Sequence, residues 1–288
     1  MKPKGQLLII GGKEDKDGSA SEMKKKNKNF SHHEILKLLA KSKDDRIEVI
    51  TAATSEPESM QQTYTKTFKD IGYTNFGFLD IRDDQIHTDD HFKRIKAAAT
   101  VFFTGGDQNR ICQTLQQSVL IDLLREKYQK EENFMIAGTS AGAMCIPNIV
   151  ILEAVNGEAI LENDIELDSG LGLIGNYIID THFVHRARFG RLAHAIISHR
   201  DCWGIGLGED TALLIEEGCK ATCYGSGMVW IFNAKEIGCT NIETVKKGYP
   251  IYAENLKAHI LTEGCKIDFS NNVFAGALSE KKNDNKEE

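Results

Sequence analysis

FMIAGTSAGAMC, residues 134–145, runs as an apolar strand, breaks at Gly138, sets Ser140 between Gly138 and Gly142, and resumes as small and apolar residues. A serine between two glycines, where a strand hands over to a helix, has a physical reading. Glycine permits backbone angles that a side chain forbids and leaves room for close packing beside the serine. In that context G-x-S-x-G is a nucleophile elbow, which lifts a hydroxyl clear of the sheet edge. The bare pattern is weak, because composition alone produces it in unrelated chains. The strand before it and the small-residue helix after it give it weight.

Working outward, strand-like and helix-like stretches alternate through the first half. QLLIIGG (6–12), RIEVITAAT (46–54), NFGFLDI (75–81), TVFFTGG (100–106) and FMIAG (134–138) read as strands. FSHHEILKLLAKS (30–42), PESMQQTYTKTFKDIG (57–72), HFKRIKAAA (91–99), DQNRICQTLQQ (107–117) and VLIDLLREKYQKE (119–131) read as helices. A serine cap opens the first, and the second starts on Pro and ends on Gly. Such alternation implies an α/β fold with a largely parallel central sheet and helices on both faces. Ligands in such sheets bind beyond the carboxyl ends of the strands. The glycine-rich breaks GGKED, TGGDQ and GTSAG all fall at such ends, so they are expected to converge on one crevice.

The C-terminal part is β-rich: LGLIGNYIIDTHF (171–183), WGIGLGEDTALLIEE (203–217), CKATCYGSGMVWIFNA (219–234) and HILTEGCKIDF (259–269), with a helix RARFGRLAHAIISHR at 186–200. The reading is one α/β domain over residues 1–278, followed by a charged mobile tail, 279–288. A second charged segment, DKDGSASEMKKKNKN (15–29), reads as solvated, with a flap over the crevice as the alternative.

Composition narrows the function. Lys plus Arg is 35 against 42 Asp plus Glu, a net charge of −7. A mildly acidic chain lacks the basic footprint of a nucleic-acid binder. Seven scattered cysteines read as reduced, mostly buried thiols rather than a disulfide framework. Cys219 and Cys223 have no second pair at zinc spacing. The N-terminus reads as a first strand rather than a signal peptide, and no run approaches a membrane span. The expected location is the cytoplasm.

A serine hydroxyl needs a general base within hydrogen-bond reach and donors for the oxyanion. Among nine histidines, His182 follows an apolar strand, where the crevice would receive it. Glu209, at a glycine-flanked turn, is the candidate orienting acid, with Asp210 its competitor. Oxyanion donors are expected from the N–H of Ala141 and from that of Gly106 or Asp107; the TGGDQ turn reads equally well as an ordinary helix cap by Asp107. Arg186, Arg188 and Arg191 lie just beyond His182 and suit a substrate with carboxylates, unless they pair with the chain's own acids. The order Ser–His–acid differs from the Ser–acid–His order of α/β-hydrolases.

GGKED, FFTGGDQ, GTSAGA, DTHF followed by R-x-R-x-x-R-L, and GEDTA, in that order from about residue 5 to about residue 235, together resemble the cyanophycinases. These belong to a serine peptidase family that also holds the dipeptidase E-type aspartyl dipeptidases. The resemblance implies a class I glutamine amidotransferase-like fold, a Ser–His–Glu triad of Ser140, His182 and Glu209, and no metal or organic cofactor. It implies a substrate pocket from Gln108, Asp180, Thr181, Arg186, Arg188 and Arg191, with Asp180 placed to hold a guanidinium. The implied substrate is cyanophycin, a polyaspartate carrying arginine on each β-carboxyl, cleaved to β-aspartyl-arginine dipeptides. A homodimer is the assembly common in similar proteins. One departure is D-T-H-F in place of the usual D-Q-H-F, which puts Thr181 where the family carries an amide. The alternatives are an aspartyl or isoaspartyl dipeptidase, and a non-catalytic binding protein on the same scaffold.

Overall fold

The computed structural model describes residues 2–18, 31–81, 89–155 and 158–276. Five strands, β1 (Gln6–Ile10), β2 (Ile47–Ile50), β3 (Phe76–Leu79), β4 (Thr100–Phe103) and β5 (Met135–Thr139), lie parallel in the order β1-β5-β4-β2-β3. They are mostly apolar because both faces are covered, and the buried Glu48 of β2 is met by Arg46 and Arg94. Side chains alternate across β1: Leu7 and Ile9 join one core, Leu8 and Ile10 the other. Each such fully buried aliphatic side chain contributes about 1.5–3 kcal/mol.

Helix α1 (Pro57–Ile71) covers one face with Tyr64, Phe68 and Ile71. Proline opens it, and Gly72, at φ 92, closes it by donating its N–H to the carbonyls of Phe68 and Lys69. The other face receives α2 (Asp89–Ala97), α3 (Gln108–Leu115) and α4 (Val119–Lys130) through Ile95, Ile111, Leu115, Leu120 and Leu124. The side chains of Asp107 and Ser118 cap α3 and α4.

The stretch 30–42, expected as an amphipathic helix, forms only one 3-10 turn, Leu36–Leu39, within its described residues. A tertiary contact overrides the helical pattern. His33 sits at φ 54, its N–H donating to the Asp15 carboxylate at 3.1 Å and its ring Nδ1 meeting the Asp15 carbonyl at 3.1 Å.

Beyond the elbow come the short helix α5 (Ala141–Met144) and a hairpin of β6 (Ile149–Ala154) and β7 (Ile165–Ser169). Then follow β8 (Tyr177–Asp180), α6 (Phe189–Ser198), β9 (Trp203–Leu207), β10 (Thr211–Glu216), β11 (Lys220–Gly225), β12 (Val229–Asn233), β13 (Lys257–Leu261), β14 (Lys266–Asp268) and β15 (Val273–Ala275). Strands β10, β11, β14 and β15 extend the parallel strands, antiparallel, into a nine-stranded mixed sheet. Strands β8, β9, β12 and β13 form a second sheet, in which only β8 and β9 run parallel.

As expected, His182 follows an apolar strand and Glu209 stands in a turn between two strands. The strand before His182 belongs to the second sheet, and at the GEDTA turn the chain leaves that sheet at Leu207 and enters the main one at Thr211. Helix α6 starts at Phe189, so Arg186 and Arg188 precede it. Residues 19–29 and the tail 279–288 lie outside the described residues, and with them most of the flap reading. No helix among the described residues is long and apolar enough to cross a membrane.

Candidate active site

The end of β1 gathers three loops. Successive carbonyls of Ile10, Gly11 and Gly12 accept the backbone N–H groups of Ser140 (3.0 Å), His182 (2.9 Å) and Asp210 (2.9 Å). All three donors are held at positive φ: 54°, 50° and 51°. A side-chain-bearing residue in that region costs about 1–3 kcal/mol, so the surrounding contacts must fix each one.

From these anchors the side chains converge. Ser140 Oγ lies 2.9 Å from His182 Nε2, and His182 Nδ1 lies 2.9 Å from Glu209 Oε1. An ionised carboxylate only accepts, so the imidazole carries its proton on Nδ1 and turns the Nε2 lone pair to the hydroxyl. Burial lowers the His182 pKa below the ordinary value of 6.5, Arg186 and Arg188 add to the lowering, and Glu209 opposes it. Burial pushes the Glu209 carboxyl up, but hydrogen bonds from His182 and Lys13 outweigh it and hold the pKa below its ordinary value. Lys13 Nζ stands 3.0 Å from Glu209 Oε1, and His185 Nε2 3.4 Å from Oε2. Asp210, the competing acid, turns away: it accepts the Asp15 N–H at 2.9 Å and the Ser226 hydroxyl at 2.5 Å.

The elbow glycines are explained by close approach. A Cβ on Gly138 would lie 2.3 Å from the Gly142 carbonyl oxygen, and one on Gly142 2.3 Å from that of Phe103. For the oxyanion, the Asp107 N–H is ruled out, because it donates to the Ala53 carbonyl at 3.0 Å while its carboxylate caps α3. Gly106 and Ala141 have no backbone acceptor for their N–H groups among the described residues. Gly106, at φ 147, packs so tightly on Ala53 that a Cβ would meet its carbonyl oxygen at 2.2 Å.

The expected substrate pocket divides. Asp180 is fully buried, and its carboxylate is taken within the chain. Arg191 donates Nε to Oδ2 at 2.6 Å and Nη2 to Oδ1 at 2.5 Å, and Arg188 Nη1 donates to Oδ1 at 3.0 Å. The expectation that Asp180 receives a substrate guanidinium is therefore corrected; it receives two from its own chain. Arg191 is likewise buried, and Thr181 is fully enclosed, its hydroxyl without a hydrogen-bond partner among the described residues. Gln108 donates its amide to the carbonyls of Ile151 (3.2 Å) and Leu152 (2.6 Å), tying α3 to β6. Arg186 differs. It is exposed beside His182, with no ion pair among the described residues.

Sequence reasoning missed two residues of GGKED. Lys13 touches Glu209, and Glu14 lies buried behind the elbow. The two charges that follow the glycines of this motif were the available signal. Among the described residues no group of three or more His, Cys, Asp or Glu side chains is placed to hold a metal.

Residues 18–222 match the sequence model described as Peptidase family S51. The chain belongs to this family. Within it, the chain is 32% identical over 265 residues to a cyanophycinase of Trichormus variabilis, covering 91% of this chain and 84% of the relative. It is 30% identical over 262 residues to a cyanophycinase of Geminocystis herdmanii, covering 91% and 92%. It is a cyanophycinase-like peptidase of family S51. Among solved structures, a peptidase from an acI-B1 Actinobacterium superposes with a TM-score of 0.62 at 21% identity, covering 93% of this chain and 98% of the other. A putative peptidase E protein from Listeria monocytogenes gives 0.51 at 13% identity, covering 77% and 99%. Both share the mixed α/β fold.

Proposed function

We propose that this S51 peptidase is a serine-type cyanophycinase, hydrolysing the aspartyl backbone of cyanophycin to β-aspartyl-arginine dipeptides through an acyl-enzyme. The observation that carries the reading is the unbroken line from Ser140 Oγ through His182 to Glu209, with both links at 2.9 Å. Ser140 Oγ attacks the aspartyl carbonyl carbon as its proton passes to His182 Nε2. Glu209 stabilises the imidazolium, as the acid of a triad does. The N–H groups of Ala141 and Gly106 receive the oxyanion, each such donor being worth about 10²–10³ in rate. His182 returns the proton to the leaving amine; water then attacks the ester, loses its proton to His182, and Ser140 regains it.

Arg186 supplies the specificity in this reading. Cyanophycin presents a free α-carboxylate on every arginine branch, and the exposed Arg186 guanidinium offers a planar fork for one. Arg188 and Arg191, already bound to Asp180, shape the wall behind. The fold reading that goes with this is class I glutamine amidotransferase-like, supported by an elbow at the end of a parallel strand. Seven free cysteines fit a reducing compartment such as the cytoplasm.

Incubating the purified chain with cyanophycin and weighing the products tests the reading. Release of β-aspartyl-arginine by the wild type, and none by Ser140→Ala, is the expected result. Hydrolysis of isoaspartyl dipeptides with intact polymer would move the substrate to short peptides. Absence of fluorophosphonate labelling at Ser140 would sink the serine mechanism itself.

A further inference from the structure

The serine mechanism leaves Glu14 without a task, yet its side chain has no exposed surface. Its two oxygens reach in different directions. Oε2 accepts the Thr139 hydroxyl at 2.6 Å; Oε1 accepts the Tyr64 hydroxyl at 2.6 Å and the Lys16 ammonium at 2.8 Å. Burial pushes the carboxyl up, but the attraction and hydrogen bond of Lys16 and the two hydroxyls overcome it and hold the pKa at about 2. Glu14 is therefore ionised at neutral pH.

Thr139 is the residue immediately before Ser140, and it ends β5. On the far side of Ser140 the turn is held through its carbonyl, which accepts the N–H groups of Ala143 (2.9 Å) and Met144 (3.1 Å). On the near side the side-chain anchor is Glu14. It is itself seated against α1, where Tyr64 packs edge-on against Phe102 of β4 at 5.3 Å.

We infer that Glu14 is a positioning residue for the nucleophile. By fixing Thr139 against Tyr64 and Lys16, it keeps the strained Ser140 turn at the angle that aims Oγ at His182. The inference rests on the serine reading above. A charged acceptor suits the task because its hydrogen bonds are shorter and stronger than neutral ones. A small misplacement of a reacting atom is enough to cost about 10²-fold in rate.

Four variants of the chain test this: Glu14→Gln, Thr139→Val, Thr139→Ser and their control Ser140→Ala. The readouts are the rate of fluorophosphonate labelling at Ser140, kcat and KM on cyanophycin, and the thermal midpoint. Glu14→Gln and Thr139→Val are expected to lower the labelling rate and kcat by about 10–100-fold. KM should stay within about twofold, because ground-state contacts such as that to Arg186 are untouched. Thr139→Ser, which keeps the hydroxyl, is expected to retain the wild-type rate.

Wild-type labelling of a folded Glu14→Gln, or equal damage from Ser and Val at 139, would overturn the inference while leaving the serine mechanism intact. Full activity of Ser140→Ala, or a wild type that does not label, would overturn both. Should Glu14→Gln fail to fold, the Thr139 pair decides, since neither substitution removes the buried carboxylate.

Discussion

Gly12 and His182 share one packing surface: a Cβ on residue 12 would stand 2.5 Å from both Cε1 and Nε2 of the imidazole. The absent side chain at 12 is the seat of the ring. Gly12 also sits at φ 92, so any substitution there is strained twice over.

Gly12→Ala should therefore displace the imidazole from the Ser140 hydroxyl without emptying any part of the core. A loss of kcat/KM of about 10²-fold or more is expected in a protein that still unfolds cooperatively. Activity within a few-fold of wild type would show that the ring has somewhere else to work from.

Glu209 and Asp210 are adjacent carboxylates with opposite loyalties. Glu209→Gln removes the charge that steadies the imidazolium and should lower kcat by about 10⁴-fold, the size seen when a triad acid is neutralised. Asp210→Asn should act on stability, by about 1–3 kcal/mol, through its bonds to Asp15 and Ser226. Comparing kcat with the denaturant midpoint of each variant separates the two.

The acid limb of kcat/KM reports protonation of the free-enzyme base. With the His182 pKa lowered, mainly by burial and then by Arg186 and Arg188, that limb should fall below pH 6.5. Arg186→Gln removes a like charge and should move the limb upward, along with raising KM. An unmoved limb would mean that Arg186 is too well screened to act on the ring.

Asp180 and its two arginines behave as a buried cluster. Arg191→Met strands part of a carboxylate that has no access to water and should cost about 3–5 kcal/mol of stability. Arg186→Met, at the surface, should leave stability within about 0.5 kcal/mol. A rise in KM from Arg191→Met with no fall in stability would return Arg191 to direct contact with substrate.

Glu14 also predicts an acid signature. Its folded pKa is depressed to about 2 from an ordinary 4.5. Its contribution, on the order of 3 kcal/mol, is thus complete above pH 4.5 and is lost as pH falls from there toward 2. Unfolding free energy measured across that window should fall less steeply in Glu14→Gln than in wild type.

Much of this molecule was readable from the chain because its strong signals are local. Apolar runs gave β1 to β5, with glycines closing β1, β4 and β5, and the elbow gave Ser140. His182 was singled out by standing just past an apolar strand, and Glu209 by its glycine-flanked turn. What stayed hidden depends on distant partners. The helical pattern of 30–42 yields to two bonds between His33 and Asp15. The charge of Asp180 reads as available until Arg188 and Arg191 are seen folded back upon it. Asp107 offers an amide on paper that Ala53 has already taken. Glu14 looks like a surface acid in a polar loop, and only the approach of Tyr64 from α1 and Thr139 from β5 encloses it.

The accepting carbonyls at the end of β1 occupy successive positions, and this makes strand length a chemical parameter. Deleting or inserting one amino acid between Gln6 and Gly12 would hand each incoming loop to the wrong oxygen, parting hydroxyl, ring and acid together while every one of them stayed in the gene. In this enzyme the count of residues leading to Gly12 constrains turnover as firmly as the choice of serine at 140.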